Sequence, residues 1–409
     1  MVVKVPFFRP SIGEREIAAV VETLRSGWLT TGPRTKEFER RFAEKVGSRH
    51  AIAVNSCTAA LHLALEAIGL QRGELVLVPT LTFAATAEVV RYFDAVPVFV
   101  DCDPTTLCMD PQALSETLSA LAERRPVAGL NASARGPVRA IIPVHYGGQM
   151  VDVAAISEIA RRYELPVIED AAHTLPAFFR ADESAPWRQV GSTADITCFS
   201  FYANKCITTG EGGMAVTDRD DLAERMRLMS LHGMSKDAWK RFMSNGAWYY
   251  EIVAPGFKYN LTDVASAIGL CQLEQADELW NARRNIARAL SEQLSGVEEL
   301  QLPLEIPNRR HAWHLFAIQL ELSKLDIDRA QFIELLTERG IGASVHWLPL
   351  HMQPYYRDLF GYQPSDFPVA AAVWPRLVSL PIFPGMTEAE IGAVADAVKS
   401  ITREHARRA

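Results

Sequence analysis

Residues 195–213 read Asp-Ile-Thr-Cys-Phe-Ser-Phe-Tyr-Ala-Asn-Lys-Cys-Ile-Thr-Thr-Gly-Glu-Gly-Gly, and this stretch decides the fold class and the chemistry of the chain. The apolar run 196–201 predicts a buried strand, and residues 214–217 predict a second strand after the glycine-rich turn. Lys205 lies in that turn. A lysine held away from water has a lowered pKa, and its neutral amine can act as a nucleophile. Most lysines are solvated, so this interpretation needs support from the rest of the chain.

The sequence before this stretch alternates short apolar strands with helices. Strands are predicted at 50–54, 75–78, 96–100, 138–144 and 166–169, and helices at 58–68, 83–92, 111–122 and 153–163. Strands that are apolar on both faces are typical of parallel sheets covered by helices. The pattern therefore predicts an α/β fold with a mostly parallel central sheet, in which ligands bind at the carboxyl ends of the strands.

The two ends of the chain follow other patterns. Ser11, with Glu14 three residues later, predicts a capped first helix. The apolar face of that helix is formed by Ile17, Val20, Val21 and Leu24. Residues 261–294 predict one long helix, followed by strands at 314–322 and 343–345 and helices at 329–339 and 387–399. We expect a large domain over residues 1–275 and a smaller C-terminal α+β domain over residues 276–409.

Two further segments are predicted to be loops. Residues 125–136 are polar and predict an exposed loop. Residues 234–256 form a long connection with several aromatic residues, and such connections are usually functional or form interfaces.

Composition excludes several classes of protein. The 409 residues carry a formal net charge of −7, and the basic residues are scattered, which argues against a nucleic-acid surface. The first ten residues do not form a signal peptide, and no apolar run approaches the ~20 residues that span a bilayer. The six cysteines form no C-x-x-C pair, so we expect reduced thiols, no metal site and a cytoplasmic location.

Three kinds of side chain are expected at the carboxyl ends of separate strands. Asp170 ends a buried strand, residues 55–61 form a strand-to-helix turn suited to an anion, and Lys205 follows a third strand. Asp170 could instead cap a helix, and small residues at a helix start are common. Together, the three match pyridoxal phosphate, which needs a lysine, an acid for the pyridine nitrogen and donors for the phosphate. Phe83 could stack on the ring, although most phenylalanines only fill the core.

Several stretches resemble the DegT/DnrJ/EryC1/StrS family of sugar aminotransferases, which are fold type I enzymes dependent on pyridoxal phosphate. The likeness runs nearly end to end, through residues 26–33, 55–62, 143–148, 168–173, 199–205, 211–213 and 255–263. Each motif alone is weak, but their combination is highly specific. Within the family, residues 311–316 and 379–386 are most similar to the enzyme that makes UDP-4-amino-4-deoxy-L-arabinose. Residues 202–204 and 232–254 depart from that enzyme, which leaves the sugar open.

The resemblance implies a role for each site residue. Lys205 would bind the cofactor and act as the base, and Asp170 would pair with the pyridine nitrogen. The remaining cofactor contacts would be Thr58, Ala59, Phe83, His173, Ser200 and Asn260. The sugar or nucleotide would contact Trp28, Thr30, Lys258, Tyr259 and His346, with His145 and His351 as further candidates. A homodimer is implied, in which Asn260, Lys258 and Tyr259 reach into the partner's site.

The implied reaction moves an amino group from L-glutamate to a keto group, most simply at C4, of a nucleotide-linked sugar. A sugar dehydratase of the same family would carry histidine in place of Lys205. A short-chain dehydrogenase needs three residues between its Tyr and Lys, whereas Tyr202 and Lys205 are separated by two. A non-catalytic sensor that binds the cofactor stays open from the sequence.

Overall fold

The computed structural model describes residues 3–130, 136–234 and 251–407. Within these ranges there are thirteen α-helices and thirteen strands. The helices are α1 (Glu14–Ser26), α2 (Pro33–Val46), α3 (Cys57–Ala67), α4 (Ala85–Arg91), α5 (Pro111–Ala122), α6 (Val153–Arg162), α7 (Asp220–Ser230), α8 (Asp263–Glu274), α9 (Ala276–Leu294), α10 (Arg329–Glu338), α11 (Pro354–Phe360), α12 (Pro368–Val373) and α13 (Glu388–Glu404). The strands are β1 (His50–Val54), β2 (Leu75–Pro79), β3 (Val96–Val100), β4 (Val138–Ile141), β5 (Ile168–Asp170), β6 (Phe178–Phe179), β7 (Arg188–Gln189), β8 (Ile196–Ser200), β9 (Gly213–Thr217), β10 (Leu300–Gln301), β11 (Arg309–Arg310), β12 (Phe316–Leu320) and β13 (Leu377–Leu380).

The central sheet has seven strands in the order β3-β2-β4-β5-β8-β9-β1. Parallel pairs join β3 to β2, β2 to β4 and β5 to β8, and parallel bridges at Ile141–Val167 and Val144–Asp170 join the β4 and β5 segments. Strand β9 runs antiparallel to both of its neighbours, β8 and β1. These strands are buried on both faces because helices cover the sheet. The predicted α/β class with a mostly parallel sheet is confirmed.

A second, smaller core lies around the antiparallel sheet β10-β12-β13. Apolar side chains of α9, α10 and α13 pack on this sheet, among them Leu290, Phe332 and Val398. This is the predicted C-terminal α+β arrangement. Residues of α11 and α12 return to the first core, where Tyr356 packs on Phe99. The position of the domain boundary, between residues 275 and 276, stays a prediction.

Several predicted elements differ from the structure. The helix predicted over 261–294 is interrupted at Gln275, which separates α8 from α9. The strand predicted over 343–345 is wrong, since Ser344 makes only an isolated antiparallel bridge to Ser379. The strand predicted over 138–144 ends at Ile141. Within the loops at 125–136 and 234–256, residues 131–135 and 235–250 lie outside the described residues.

The N-cap of the first helix lies two residues after the predicted one. Gly13, not Ser11, is the N-cap of α1, and the Gly13 N–H donates to Glu16 Oε2 at 3.0 Å. The inward face carries Glu16 and Thr23, both buried. The predicted apolar face points away from the core: Ile17 is 48% exposed and Leu24 is 53% exposed. The helix therefore presents its apolar stripe outward.

Among the described residues, none of the helices combines the length and the apolar character needed to cross a bilayer. All six cysteines have free thiols.

Candidate active site

Lys205 lies in a loop that follows β8 and is closed by backbone hydrogen bonds. The Phe201 N–H donates to Gly212 O at 2.8 Å, and the Lys205 N–H donates to Tyr202 O at 3.0 Å. The side chain is half-buried, and burial lowers the pKa of its amine, while the charge of Asp170 acts in the opposite direction. The amine therefore loses its proton more readily than that of a solvated lysine, as a nucleophile or a base requires.

Asp170 ends β5, the parallel neighbour of β8. Its carboxylate is 5% exposed and accepts two hydrogen bonds, from Thr86 Oγ1 to Oδ2 at 2.8 Å and from the Ala172 N–H to Oδ1 at 3.1 Å. Burial raises the pKa of Asp170, while the Thr86 hydroxyl, the Ala172 N–H and the charge of Lys205 lower it. The pKa of Asp170 is raised on balance, so these groups offset burial only in part, and a positive charge placed against the carboxylate would favour its ionised form.

The first turn of α3 provides the predicted anion cradle. Ser56 is the N-cap, and its Oγ accepts the Ala59 N–H at 3.0 Å. The first N–H groups of a helix have no partner within the helix and attract anions. Strand β9 passes very close to this turn, since a Cβ at Gly213 would lie 2.4 Å from the Ser56 carbonyl carbon. Only glycine permits this approach.

These three elements open into one cavity of about 340 Å³. Seven of the predicted site residues line it: Thr58, Phe83, Asp170, His173, Ser200, Lys205 and His346. Further lining residues are Ser56, Cys57, Leu61, Thr82, Ala85, Val144, Ala172, Tyr202, Asn204, Glu211, Gly212, His314 and Trp347. The lysine, the acid and the cradle thus meet at one edge of the sheet, as the sequence predicted. The reason is that the carboxyl ends of strands running in the same direction lie at the same edge.

Aromatic rings form one wall of the cavity. The ring of Phe83 lies 5.9 Å from that of Trp347, and the ring of His173 is stacked on Trp347 at 5.2 Å. His173 Nδ1 accepts the Gly147 N–H at 3.1 Å. Burial holds the pKa of His173 and His314 well below the ordinary range. His173 is therefore neutral near pH 7, and its proton is carried on Nε2.

His346 and two lining residues without an assigned role extend this wall. His346 Nδ1 lies 2.9 Å from Ser379 Oγ, and burial lowers the pKa of His346 to about 4. His314 and Trp347 line the cavity but received no role from the sequence. His314 lies within residues 311–316, one of the segments that carry the family resemblance, and Trp347 directly follows His346, so the sequence contained a signal for both positions.

Among the predicted contacts that do not line this cavity, five belong to the loop after α1 or to the segment before α8: Trp28, Thr30, Lys258, Tyr259 and Asn260. Asn260 Nδ2 donates to Thr31 Oγ1 at 2.6 Å, and the Lys258 ammonium donates to Asn260 Oδ1. Tyr259 OH lies 2.9 Å from His62 Nδ1. The structure thus joins the loop after α1 to the segment before α8 through Asn260, which does not line the cavity of the same chain.

The buried side chain of Asp263 holds the loop after α1 in place through hydrogen bonds. Its carboxylate is 1% exposed and accepts the Gly32 N–H at 2.7 Å, together with the N–H and hydroxyl of Thr35 at 2.9 Å and 2.7 Å. The Asp263 N–H in turn donates to Thr30 O at 3.2 Å. Trp28, at the outer end of this loop, is 39% exposed. The loop therefore holds its shape while its aromatic residue faces outward.

The remaining candidates lie in the interior, away from the cavity lining. His145 is fully buried, with Nδ1 accepting the Val151 N–H at 3.2 Å and Nε2 lying 3.6 Å from Glu169 Oε2. His351 Nδ1 lies 2.6 Å from Thr80 Oγ1. Ala59 is buried behind the cradle, and Ser56 already receives its N–H. Among the described residues, no group of three or more His, Cys, Asp or Glu side chains is placed to hold a metal ion.

Comparison with known proteins finds relatives along nearly the whole of this chain. The model of the DegT/DnrJ/EryC1/StrS aminotransferase family matches residues 10–399. The spore coat polysaccharide biosynthesis protein SpsC of Bacillus subtilis is 42% identical over 97% of both chains. Structures of Spr1654 from Streptococcus pneumoniae, a candidate sugar aminotransferase, include PLP and PMP forms. The PMP form is 28% identical, covers 98% of both chains and has a TM-score of 0.85. Helicobacter pylori PseC, an aminotransferase involved in pseudoaminic acid biosynthesis, is 26% identical, covers 98% of this chain and 100% of its own, and has a TM-score of 0.85.

Proposed function

The chain belongs to the DegT/DnrJ/EryC1/StrS aminotransferase family, and we propose that it moves an amino group from L-glutamate to the C4 keto group of a nucleotide-linked sugar. The broader activity, that of a sugar aminotransferase with pyridoxal 5′-phosphate as its cofactor, follows from the family and its solved members. The observation that carries the proposal is the meeting of Lys205, Asp170 and the start of α3 in one cavity.

The donor set of the cavity fits pyridoxal phosphate. When bound, the cofactor supplies an electrophilic carbon that bonds to amines and a protonated ring that accepts an electron pair. The first turn of α3, with Thr58 and Ser200, would hold the phosphate. The Asp170 carboxylate would balance the charge of the pyridine nitrogen. Phe83 would cover one face of the ring, and the neutral His173 would lie beside it.

Lys205 has the properties of the proton carrier. Its side chain is half-buried and burial lowers the pKa of the amine, so it gives up its proton more readily than a solvated lysine. In the first half-reaction, Lys205 Nζ would take the proton from Cα of the donor. In the second half-reaction, it would give a proton to the acceptor carbon that gains the amine. The neutral His314 and His346 on the cavity wall suit hydroxyl groups of a sugar, since a ring nitrogen of a neutral histidine can donate or accept a hydrogen bond.

The acceptor class is supported by the relatives. SpsC is named for the biosynthesis of a polysaccharide, and PseC for that of pseudoaminic acid. The similarity to the enzyme that makes UDP-4-amino-4-deoxy-L-arabinose stays a prediction.

A homodimer with shared sites accounts for two further features. The outward stripe of α1, with Ile17, Val21 and Leu24 exposed, needs a cover that a second copy would supply. Asn260 and Lys258 do not line the cavity of their own chain and would reach the cavity of the partner. A symmetric pair would then complete both sites with the same residues.

The test is a screen of the purified protein with pyridoxal phosphate, L-glutamate and a panel of UDP-, GDP- and dTDP-linked 4-keto sugars. We expect one class to yield an amino sugar by mass spectrometry, with equal formation of 2-oxoglutarate. Lys205→Ala should abolish this product, whereas Lys324→Ala, an exposed residue paired with Glu298, should not. Cofactor binding without release of 2-oxoglutarate would instead favour a sensor.

A further inference from the structure

Asp170 stands at the end of a chain of two buried hydroxyl groups that the proposed reaction does not use. Thr86 Oγ1 lies 2.8 Å from Asp170 Oδ2, and Thr82 Oγ1 lies 2.8 Å from Thr86 Oγ1. The exposed fractions of Thr82 and Thr86 are 1% and 0%. We propose that Thr82 and Thr86 form a hydroxyl relay that keeps Asp170 ionised, with Thr86 as a positioning residue for the pyridine nitrogen of the cofactor. This inference rests on the role given to Asp170 in the proposed function.

The chemistry of the groups fixes the direction of the relay. An ionised carboxylate only accepts hydrogen bonds, and a threonine hydroxyl has a single proton to donate. The Thr86 proton therefore goes to Asp170, so the bond between the two hydroxyls must be donated by Thr82. Both donations point towards the carboxylate. A protonated Asp170 that donated from Oδ2 would need Thr86 to accept instead, and the Thr86 proton would then no longer be donated to the carboxyl group.

Asp170 has few other sources of stabilisation as an anion. The Ala172 N–H is the other hydrogen bond that the carboxylate receives in the described structure. The charged and titratable groups that face Asp170 are Lys205 and His145, with the Cys57 and Cys198 thiols beside it. Burial favours the neutral acid, and a neutral acid could not balance a protonated ring. The Thr86 hydroxyl is thus the side-chain donor that opposes burial most directly.

The location of the two threonines explains how the relay is held. Thr82 lines the cavity in the loop after β2, and Thr86 lies in the first turn of α4. The two hydroxyls meet where the loop after β2 leads into α4, with 2.8 Å between their oxygens. Asp170 approaches from β5, a separate strand. The relay therefore joins the loop that carries Phe83 to the strand that carries the acid.

Three variants of the holoenzyme test the relay: Thr86→Val, Thr86→Ser and Thr82→Val. Valine keeps the shape of threonine without the hydroxyl, and serine keeps the hydroxyl without the methyl group. The readout is the dissociation constant of pyridoxal phosphate, measured by equilibrium dialysis from pH 5 to pH 9. A hydrogen bond to a charged group is worth about tenfold to a hundredfold in affinity, so Thr86→Val should bind the cofactor at least about tenfold more weakly.

The pH dependence of cofactor affinity distinguishes loss of the hydrogen bond from loss of side-chain packing. Loss of the Thr86 donor raises the pKa of Asp170, so the acid-side loss of affinity should begin at a higher pH in Thr86→Val than in the wild type. Thr86→Ser should keep the wild-type profile within about twofold, because it keeps the donor. Thr82→Val should shift the profile in the same direction as Thr86→Val, but by less, since it acts through Thr86.

Equal losses in Thr86→Ser and Thr86→Val, or a Thr86→Val profile identical to that of the wild type, would overturn the relay. The readout needs neither glutamate nor a sugar. A wild-type protein that binds the cofactor with a normal profile but aminates no keto sugar would refute the proposed function and leave this inference standing.

Discussion

Replacing Gly213 with alanine should weaken the binding of pyridoxal phosphate, because the phosphate cradle depends on the close passage of β9. Gly213 is paired with Val54 on one side and with Ser200 on the other, so its backbone is held from both edges. An added Cβ would lie 2.4 Å and 2.5 Å from the carbonyl carbon and oxygen of Ser56, and 2.6 Å from the nitrogen of Cys57. All three are backbone atoms, and no side chain can move aside to relieve the contact.

The size of the effect follows from these distances. Ordinary contacts of a Cβ begin at 3.4 Å, so the start of α3 would have to move by about 1 Å from β9. Misplacement by this amount can cost about a hundredfold at a functional site, and overpacking of this kind costs about 1–3 kcal/mol of stability. We expect the dissociation constant of the cofactor to rise by between about tenfold and a hundredfold.

The assay is equilibrium dialysis with pyridoxal phosphate under conditions where circular dichroism shows the variant to be folded. Gly392→Ala is the matched control, since Gly392 lies in α13 and no atom would lie within 4 Å of its new Cβ. The control should bind the cofactor normally and gain up to about 1 kcal/mol in stability, because alanine favours a helix. A folded Gly213→Ala protein with wild-type affinity would show that the phosphate is held elsewhere.

Two further outcomes test the dimer and the loop after α1. Heterodimers of a Lys205→Ala chain and an Asn260→Ala chain, isolated with two affinity tags, should regain about half of the wild-type activity, because one of the two shared sites is intact; inactive heterodimers would place both residues in the same protomer's site. Asp263→Ala should lower the free energy of unfolding in urea by roughly 2–5 kcal/mol, since it strands buried donors of Gly32 and Thr35. A loss no larger than that of Asp182→Ala, an exposed residue that accepts comparable backbone bonds, would contradict this account.

The sheet could be predicted because its strands are short, apolar on both faces and separated by helical periodicity. The alternation before Lys205 gave six strand positions within a few residues, and the carboxyl ends of parallel neighbours must share an edge. This is why Asp170 and Lys205 could be placed together before the structure was known. The antiparallel direction of β9 could not be predicted, since an apolar strand of five residues carries no mark of its direction.

Other features depend on tertiary contacts that no local pattern contains. The outward stripe of α1 has the same periodicity as a core-facing stripe, so the sequence could not show that Glu16 and Thr23 face inward instead. Nothing in the local sequence distinguishes Thr86 from the other threonines, because its role depends on the hydrogen bond from its hydroxyl to Asp170. His314 and Trp347 come from the C-terminal part of the chain, and their place on the cavity wall follows from how the two cores meet.

The central claim is that the amine of Lys205 binds the cofactor covalently. Reduction of the pyridoxal phosphate-loaded protein with borohydride fixes the cofactor permanently to the amine that holds it, and peptide mass spectrometry then identifies that amine. The account predicts a single pyridoxyl group per chain, on Lys205. A label on any other lysine, or none after loading at saturating cofactor, would contradict it.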